Sequence, residues 1–190
     1  IDTDCDLREA ALKIVHGKLL NAGQTCIVSD YVMLPRGSEA AFAEAYRAAV
    51  ARLFPYFEGN PDYAAIVSPR HLARLRTMLQ QAQTLGAELQ VLQPVPGSPA
   101  PPPQGIGDGV GRQMAPVLVF GATPAMQLMQ EEIFGPVLPV LSYERLDDAI
   151  AHINAGPRPL ALYWFGRGEA ARDDVLRRTV SGGVCVNDTL

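Results

Sequence analysis

The sequence predicts an α/β fold in which a mostly parallel sheet is flanked by helices. Amphipathic helical stretches alternate along the chain with short β-branched, apolar runs, and that alternation favours parallel strands covered on both faces. Turn residues separate the runs at nearly every junction. The chain is also 48% hydrophobic and 19% charged over 190 residues, enough apolar material to bury the core of one domain.

The first helix is expected from Asp6 to Leu20. Leu7, Ala10, Ala11, Ile14, Val15 and Leu19 recur at helical spacing, and Thr3, Asp4 and Asp6 offer capping and dipole-complementing groups. Asn21 to Gly23 stop it. The run from Thr25 to Leu34 is β-branched and apolar and predicts a strand, closed by Pro35-Arg36-Gly37. A second helix starts at Ser38 with Phe42, Ala45, Tyr46, Ala49, Val50 and Leu53 on one face. Ser68-Pro69 opens a third, in which Leu72, Leu75, Leu79 and Ala82 are buried, ending near Gly86. A short strand follows at Leu89–Leu92.

Residues 93–111 carry six prolines and five glycines, too many for a regular element, and predict a surface excursion within the domain. Beyond it the sequence predicts a strand at Pro116–Phe120, a turn or short helix at Thr123–Gln130 and an extended run at Val137–Tyr143. Pro139 marks that run as an edge or bulged strand. A helix at Leu146–Asn154, a strand at Leu160–Gly166, a helix at Glu169–Arg178 and a strand at Gly183–Asn187 complete the order.

Composition excludes several classes of function. A net charge of −4 without a basic block argues against a nucleic-acid partner, and no apolar run reaches the length of a membrane span. Three well-separated cysteines, Cys5, Cys26 and Cys185, make a poor disulfide framework and show no metal-site spacing, so no metal is expected and a reducing cytoplasm is. His16, His71 and His152 all fall within predicted helices as surface or packing residues. The chain opens at Ile1 and closes at Leu190 directly after a strand, and is expected to be one domain, residues 1–190, of a longer polypeptide.

The residues that point to chemistry lie in three segments. Asn21-Ala22-Gly23-Gln24-Thr25-Cys26 puts a thiol just past a helix on a glycine-containing loop, where a substrate has access; an accessible thiolate is a strong nucleophile. Glu131-Glu132-Ile133-Phe134-Gly135-Pro136 and Ser181-Gly182-Gly183-Val184-Cys185-Val186-Asn187-Asp188 follow in order. Together with Pro159–Phe165 and with Asn60-Pro61-Asp62-Tyr63 before Arg70-His71, these segments resemble the aldehyde dehydrogenase superfamily across the whole chain. The resemblance is nearest to the branch that holds the class 3 and coniferyl aldehyde enzymes.

That resemblance implies an NAD- or NADP-dependent enzyme that oxidises an aldehyde, coniferyl or another aromatic or medium-chain one, to the carboxylic acid. It makes Cys26 the nucleophile, with its own backbone N–H as an oxyanion donor. Glu132 becomes a ribose-binding acid on the nicotinamide side, and Phe134 a residue packed against the nicotinamide. Glu131 is expected to be solvated or structural, Asn187 and Asp188 to form a turn, and Cys5 and Cys185 to be structural. The family's general-base Glu, oxyanion-hole Asn and cofactor domain belong upstream of the 25 residues that precede Cys26. The chain alone is therefore expected to be inactive, its partners being that N-terminal domain and, in a dimeric enzyme, a second subunit. An acyl phosphate or acyl-CoA reductase using the same thiol, and a binding module that keeps only the fold, are the competing expectations.

Overall fold

The computed structural model describes residues 1–98 and 111–190; most of the proline- and glycine-rich excursion lies outside the described residues. Helices α1 (Leu7–Leu19), α2 (Glu39–Leu53), α3 (Pro69–Thr84), α4 (Leu146–Ala155) and α5 (Glu169–Arg178) alternate with strands β1 (Val32–Pro35), β2 (Glu88–Val91), β3 (Val117–Phe120), β4 (Val137–Tyr143), β5 (Ala161–Trp164) and β6 (Gly183–Val186). The helix starts follow capping chemistry. The Asp6 carboxylate accepts from the backbone of Arg8 and Glu9, and the Ser68 hydroxyl accepts from that of His71 ahead of Pro69.

The strands form two sheets where the sequence pattern predicts one. Four strands run β1-β4-β3-β2, with β1 and β3 parallel to β4 and β2 antiparallel to β3; β5 and β6 form a separate parallel pair. Parallel pairing dominates, as the alternation of elements requires. The split leaves β1 and β5 facing each other as free edges.

Pro139 does not put β4 at an edge, because β4 is central in its sheet. The ladders are staggered, however. Pro139 pairs with Val119 of β3, whereas β1 joins only from Val140 onward. At Pro139 the strand is locally one-sided, and its missing N–H leaves no gap in the ladder to β1.

The predicted strand at Thr25–Leu34 is mostly loop: β1 begins at Val32 and residues 25–31 turn. Its apolar residues are only partly covered, Cys26 and Ile27 being exposed and Val28 half-buried, and its backbone turns without strand pairing. Val28 N–H closes a turn on the Thr25 carbonyl, and the Tyr163 hydroxyl takes the Ile27 carbonyl at 2.6 Å. One main core runs from α1 and α2 through the four-stranded sheet to α3, and a smaller cluster of Ile150, Leu162, Trp164 and Val175 sits under α4 and α5.

Candidate active site

Cys26 is exposed and unpaired, on the loop between α1 and β1. The chain reaches it through three consecutive left-handed residues, Asn21, Ala22 and Gly23, with φ of 52°, 53° and 78°. Two of these are not glycine, so the turn stores strain that its surroundings must hold. Gln24 does so. Its buried amide donates to the carbonyls of Asn21 and Ala65, both at 3.0 Å, and accepts from the Val67 backbone at 2.7 Å. Replacing Gln24 with Ala leaves the Val67 N–H and the Ala65 carbonyl without this partner, and is expected to lower unfolding free energy by about 1–3 kcal/mol in a denaturant titration.

The second segment lies against the first. A side chain at Gly23 would run into the backbone of Gly135 and Pro136, so the thiol loop and the Glu131–Pro136 loop meet main chain to main chain. Gly135 in turn is packed on Leu75 of α3. From α3, Arg74 clamps the same loop: its guanidinium donates to the carbonyls of Glu132 at 2.6 Å and Ile133 at 3.0 Å, and to the Glu131 carboxylate at 3.2 Å. Bonds from Gln127 and Arg74 hold the Glu131 carboxyl below the usual carboxylate range. Glu131 is therefore a structural anchor, as the sequence predicts.

Both loops enter parallel strands, β1 and β4. The thiol and the acid accordingly gather at the amino edge of the sheet. Cys26 and Glu132 line one cavity of about 400 Å³ together with Ile27, Asp30 and residues of β1 and β5. Glu132 is exposed, and among the described residues its carboxylate makes no hydrogen bond within the chain, which leaves both oxygens open to a ligand. Phe134 is absent from that lining. With φ of 54°, it gives its carbonyl to the His71 ring at 2.7 Å and packs edge-on against it at 6.0 Å.

Three contributors carried no motif in the sequence: Arg74, Asp30 and Lys18. Asp30 accepts from the Ile133 backbone at 3.3 Å, and burial pushes its carboxyl up while Lys18 opposes the shift. The Lys18 amine is fully buried and without a hydrogen-bond partner, within the fields of Asp30 and Glu132. Burial lowers its pKa to about 8. The available signal was positional. Lys18 lies four residues after Ile14, inside the apolar stripe of α1, where a cation has no ordinary reason to be.

The remaining expected positions are structural. The Asn187 amide brackets Gly166, accepting from its N–H at 2.9 Å and donating to its carbonyl at 3.0 Å, while Asp188 pairs with Lys13 at 3.0 Å. Cys5 and Cys185 are half-buried, and burial raises the Cys5 thiol.

Comparison with known proteins decides the family. The aldehyde dehydrogenase family pattern matches residues 1–190, the full chain. The chain belongs to the aldehyde dehydrogenase family. It is 44% identical over 185 residues to a probable coniferyl aldehyde dehydrogenase of Caulobacter vibrioides, covering 97% of this chain and 37% of that protein. Identity to aldehyde dehydrogenase family 3 member A2 of mouse is 35%, over 100% of this chain and 36% of the relative. Among solved structures, the substrate-bound Staphylococcus aureus AldH superimposes with a TM-score of 0.83 at 33% identity, covering 100% of this chain and 38% of that one. The chain thus spans a little over a third of the length of these aldehyde dehydrogenases. Among the described residues no helix is long and apolar enough to cross a membrane, and no cluster of three or more His, Cys, Asp or Glu could hold a metal.

Proposed function

We propose that residues 1–190 form the thiol-bearing catalytic domain of an NAD(P)-dependent aldehyde dehydrogenase, with Cys26 as its nucleophile. One observation carries this reading. The exposed Cys26 and the unengaged Glu132 carboxylate open onto the same cavity, on two loops fixed together through Gly23 and Gly135.

The residues fit a nicotinamide cofactor in one specific respect. Two free carboxylate oxygens beside a thiol suit the vicinal hydroxyls of a ribose. Glu132 would hold the ribose, and Phe134, its backbone fixed by His71, would support the loop beside the nicotinamide. When bound, the cofactor supplies the acceptor for the hydride. The chain's own task is the sulfur chemistry. The Cys26 thiolate bonds to the aldehyde carbon while the carbonyl π pair moves to oxygen, and the Cys26 backbone N–H stabilises the alkoxide. Oxidation leaves a thioester on Cys26, which water cleaves to the acid and the free thiol.

An aromatic or medium-chain aldehyde such as coniferyl aldehyde is the substrate class, supported by the relatives that carry that name. NAD and NADP both occur in the names of related proteins, as does a dimer in the dog relative at 31% identity. Three free cysteines suit a reducing cytoplasm. A general base and a cofactor domain would come from outside these residues, so the 190-residue chain alone is inactive in this reading.

In the polypeptide that includes the cofactor domain, Cys26→Ser is expected to reduce NAD(P)-dependent aldehyde oxidation by at least about 10³-fold. Cys5→Ser and Cys185→Ser should retain it. Aldehyde oxidation that survives Cys26→Ser overturns the assignment, and turnover by residues 1–190 alone overturns the claim that they are insufficient.

A further inference from the structure

We infer, on the reading of Cys26 as the nucleophile, that Tyr163 is a positioning residue for the oxyanion donor. Through two peptide groups of the thiol loop, its hydroxyl fixes the direction of the Cys26 backbone N–H.

The connection runs bond by bond. The Tyr163 hydroxyl donates to the Ile27 carbonyl at 2.6 Å. That carbonyl shares a peptide plane with the Val28 N–H, which donates to the Thr25 carbonyl at 3.2 Å. The Thr25 carbonyl shares the next plane with the Cys26 N–H. Among the described residues every peptide bond is trans, so the C=O and N–H of each plane point in opposite directions. The Cys26 N–H is therefore turned away from the inside of the turn, and among the described residues it donates to no main-chain carbonyl. It is the open end of the series that the phenol begins.

Nothing else holds this turn. Among the described residues, the backbone of residues 25–29 makes only these two hydrogen bonds, and only the one from Tyr163 reaches outside the turn. Gln24 secures the chain before it and the Asp30 carboxylate bonds to Ile133 after it, which leaves the phenol as the tie at the middle. Rotation of either peptide plane would swing the Cys26 N–H.

Tyr163 is well placed for this task. It lies in β5, in register with Cys185 of β6, so a strand ladder fixes its backbone, and its side chain lines the cavity onto which Cys26 opens. Burial pushes the phenol pKa up, with the Leu190 backbone opposing in part, so the hydroxyl keeps its proton and remains a donor at neutral pH. Attack by sulfur on a carbonyl places charge on oxygen, and a donor already aimed there stabilises it without reorganisation. Hydrogen bonds in series also polarise one another, which makes the terminal N–H the stronger donor.

Two reactions of Cys26 separate donor aim from thiol access, both measured in the polypeptide that includes the cofactor domain. With p-nitrophenyl acetate the thiolate bonds to the ester carbon and the π pair moves to oxygen. Its return expels p-nitrophenolate and leaves an acetyl thioester. With iodoacetamide the S–C bond forms as iodide leaves, and no oxyanion develops. Tyr163→Phe keeps the ring and deletes the hydroxyl. It is expected to slow the first acylation turnover at least about tenfold. Alkylation, which follows thiolate fraction and access, should change less than about threefold. Tyr63→Phe deletes a comparable bond, from a tyrosine hydroxyl to the Met114 carbonyl at 2.8 Å, and should leave both rates unaltered. Val28→Pro keeps the phenol but deletes the middle N–H, and gives the same selective loss where Tyr163→Phe does not fold. Full acylation in folded Tyr163→Phe, or parallel loss of both reactions in it, overturns the inference. Acylation that persists in Cys26→Ser overturns instead the reading of Cys26 as the nucleophile.

Discussion

Gly23→Ala is expected to destabilise the chain by more than about 4 kcal/mol, enough to deplete folded protein at 37 °C. Two costs combine. Gly23 has φ of 78°, where a Cβ costs roughly 1–2 kcal/mol. The added carbon would also fall on the carbonyl of Gly135, far inside van der Waals contact. Because the obstacle is main chain, no rotamer change relieves it. Gly37→Ala is the matched control: φ there is 90°, yet nothing lies within 4 Å of the new carbon. That variant should lose only the conformational part. The difference in denaturant midpoint between the two variants measures the backbone approach of the thiol loop to the Glu131–Pro136 loop. Equal losses would mean that the two loops are not in contact. Where Gly23→Ala retains fold in the cold, its thiol loop and Glu132 should separate, and any activity in the longer polypeptide should fall with it.

This junction also marks how far the sequence could be read. Helix starts were legible because Asp6 and Ser68-Pro69 carry their own hydrogen-bonding logic, independent of distant residues. The candidate site was legible as two motifs, both of which lie on loops that line one cavity. What held them together was not, since a contact between Gly23 and Gly135 leaves no side chain to recognise. Residues 25–31 misled for the opposite reason. Their β-branched and apolar side chains sit half-covered or exposed in a turning segment that lines the cavity, and period alone does not distinguish that from a strand. Pro139 was read correctly in its local chemistry and incorrectly in its place, because the stagger of β1 against β4 is a tertiary property. The division into two sheets was equally invisible: alternation predicts parallel pairing but not where the pairing is interrupted.

Lys18 is the residue whose replacement should raise stability most. An ammonium buried without a hydrogen bond is charged at neutral pH only at the expense of its hydration, and the fields of Asp30 and Glu132 offset part of that. Lys18→Met keeps an unbranched side chain only one atom shorter, removes the charge, and is expected to stabilise the chain by about 2–4 kcal/mol at pH 7. The pH dependence supplies an independent check. The folded pKa, about 8, lies below the ordinary lysine value of 10.5, so in between the unfolded chain binds a proton that the folded chain has released. Stability therefore rises with pH through that window, by about 2 kcal/mol between about pH 7.5 and about pH 9.5. The buried Ile1 amine adds a rise of the same sign at lower pH, between about 6 and 8. Tyr46 and Tyr63, whose ionisation burial pushes upward, act in the opposite sense only above the ordinary tyrosine range. Subtracting the Lys18→Met profile from that of the unmodified chain cancels the other groups and isolates the lysine. A flat difference profile would place the amine in contact with water or with a carboxylate partner. Stabilisation by methionine together with lost aldehyde oxidation in the longer polypeptide would assign the buried cation to the alignment of Glu132, a position the apolar stripe of α1 retains at the expense of stability.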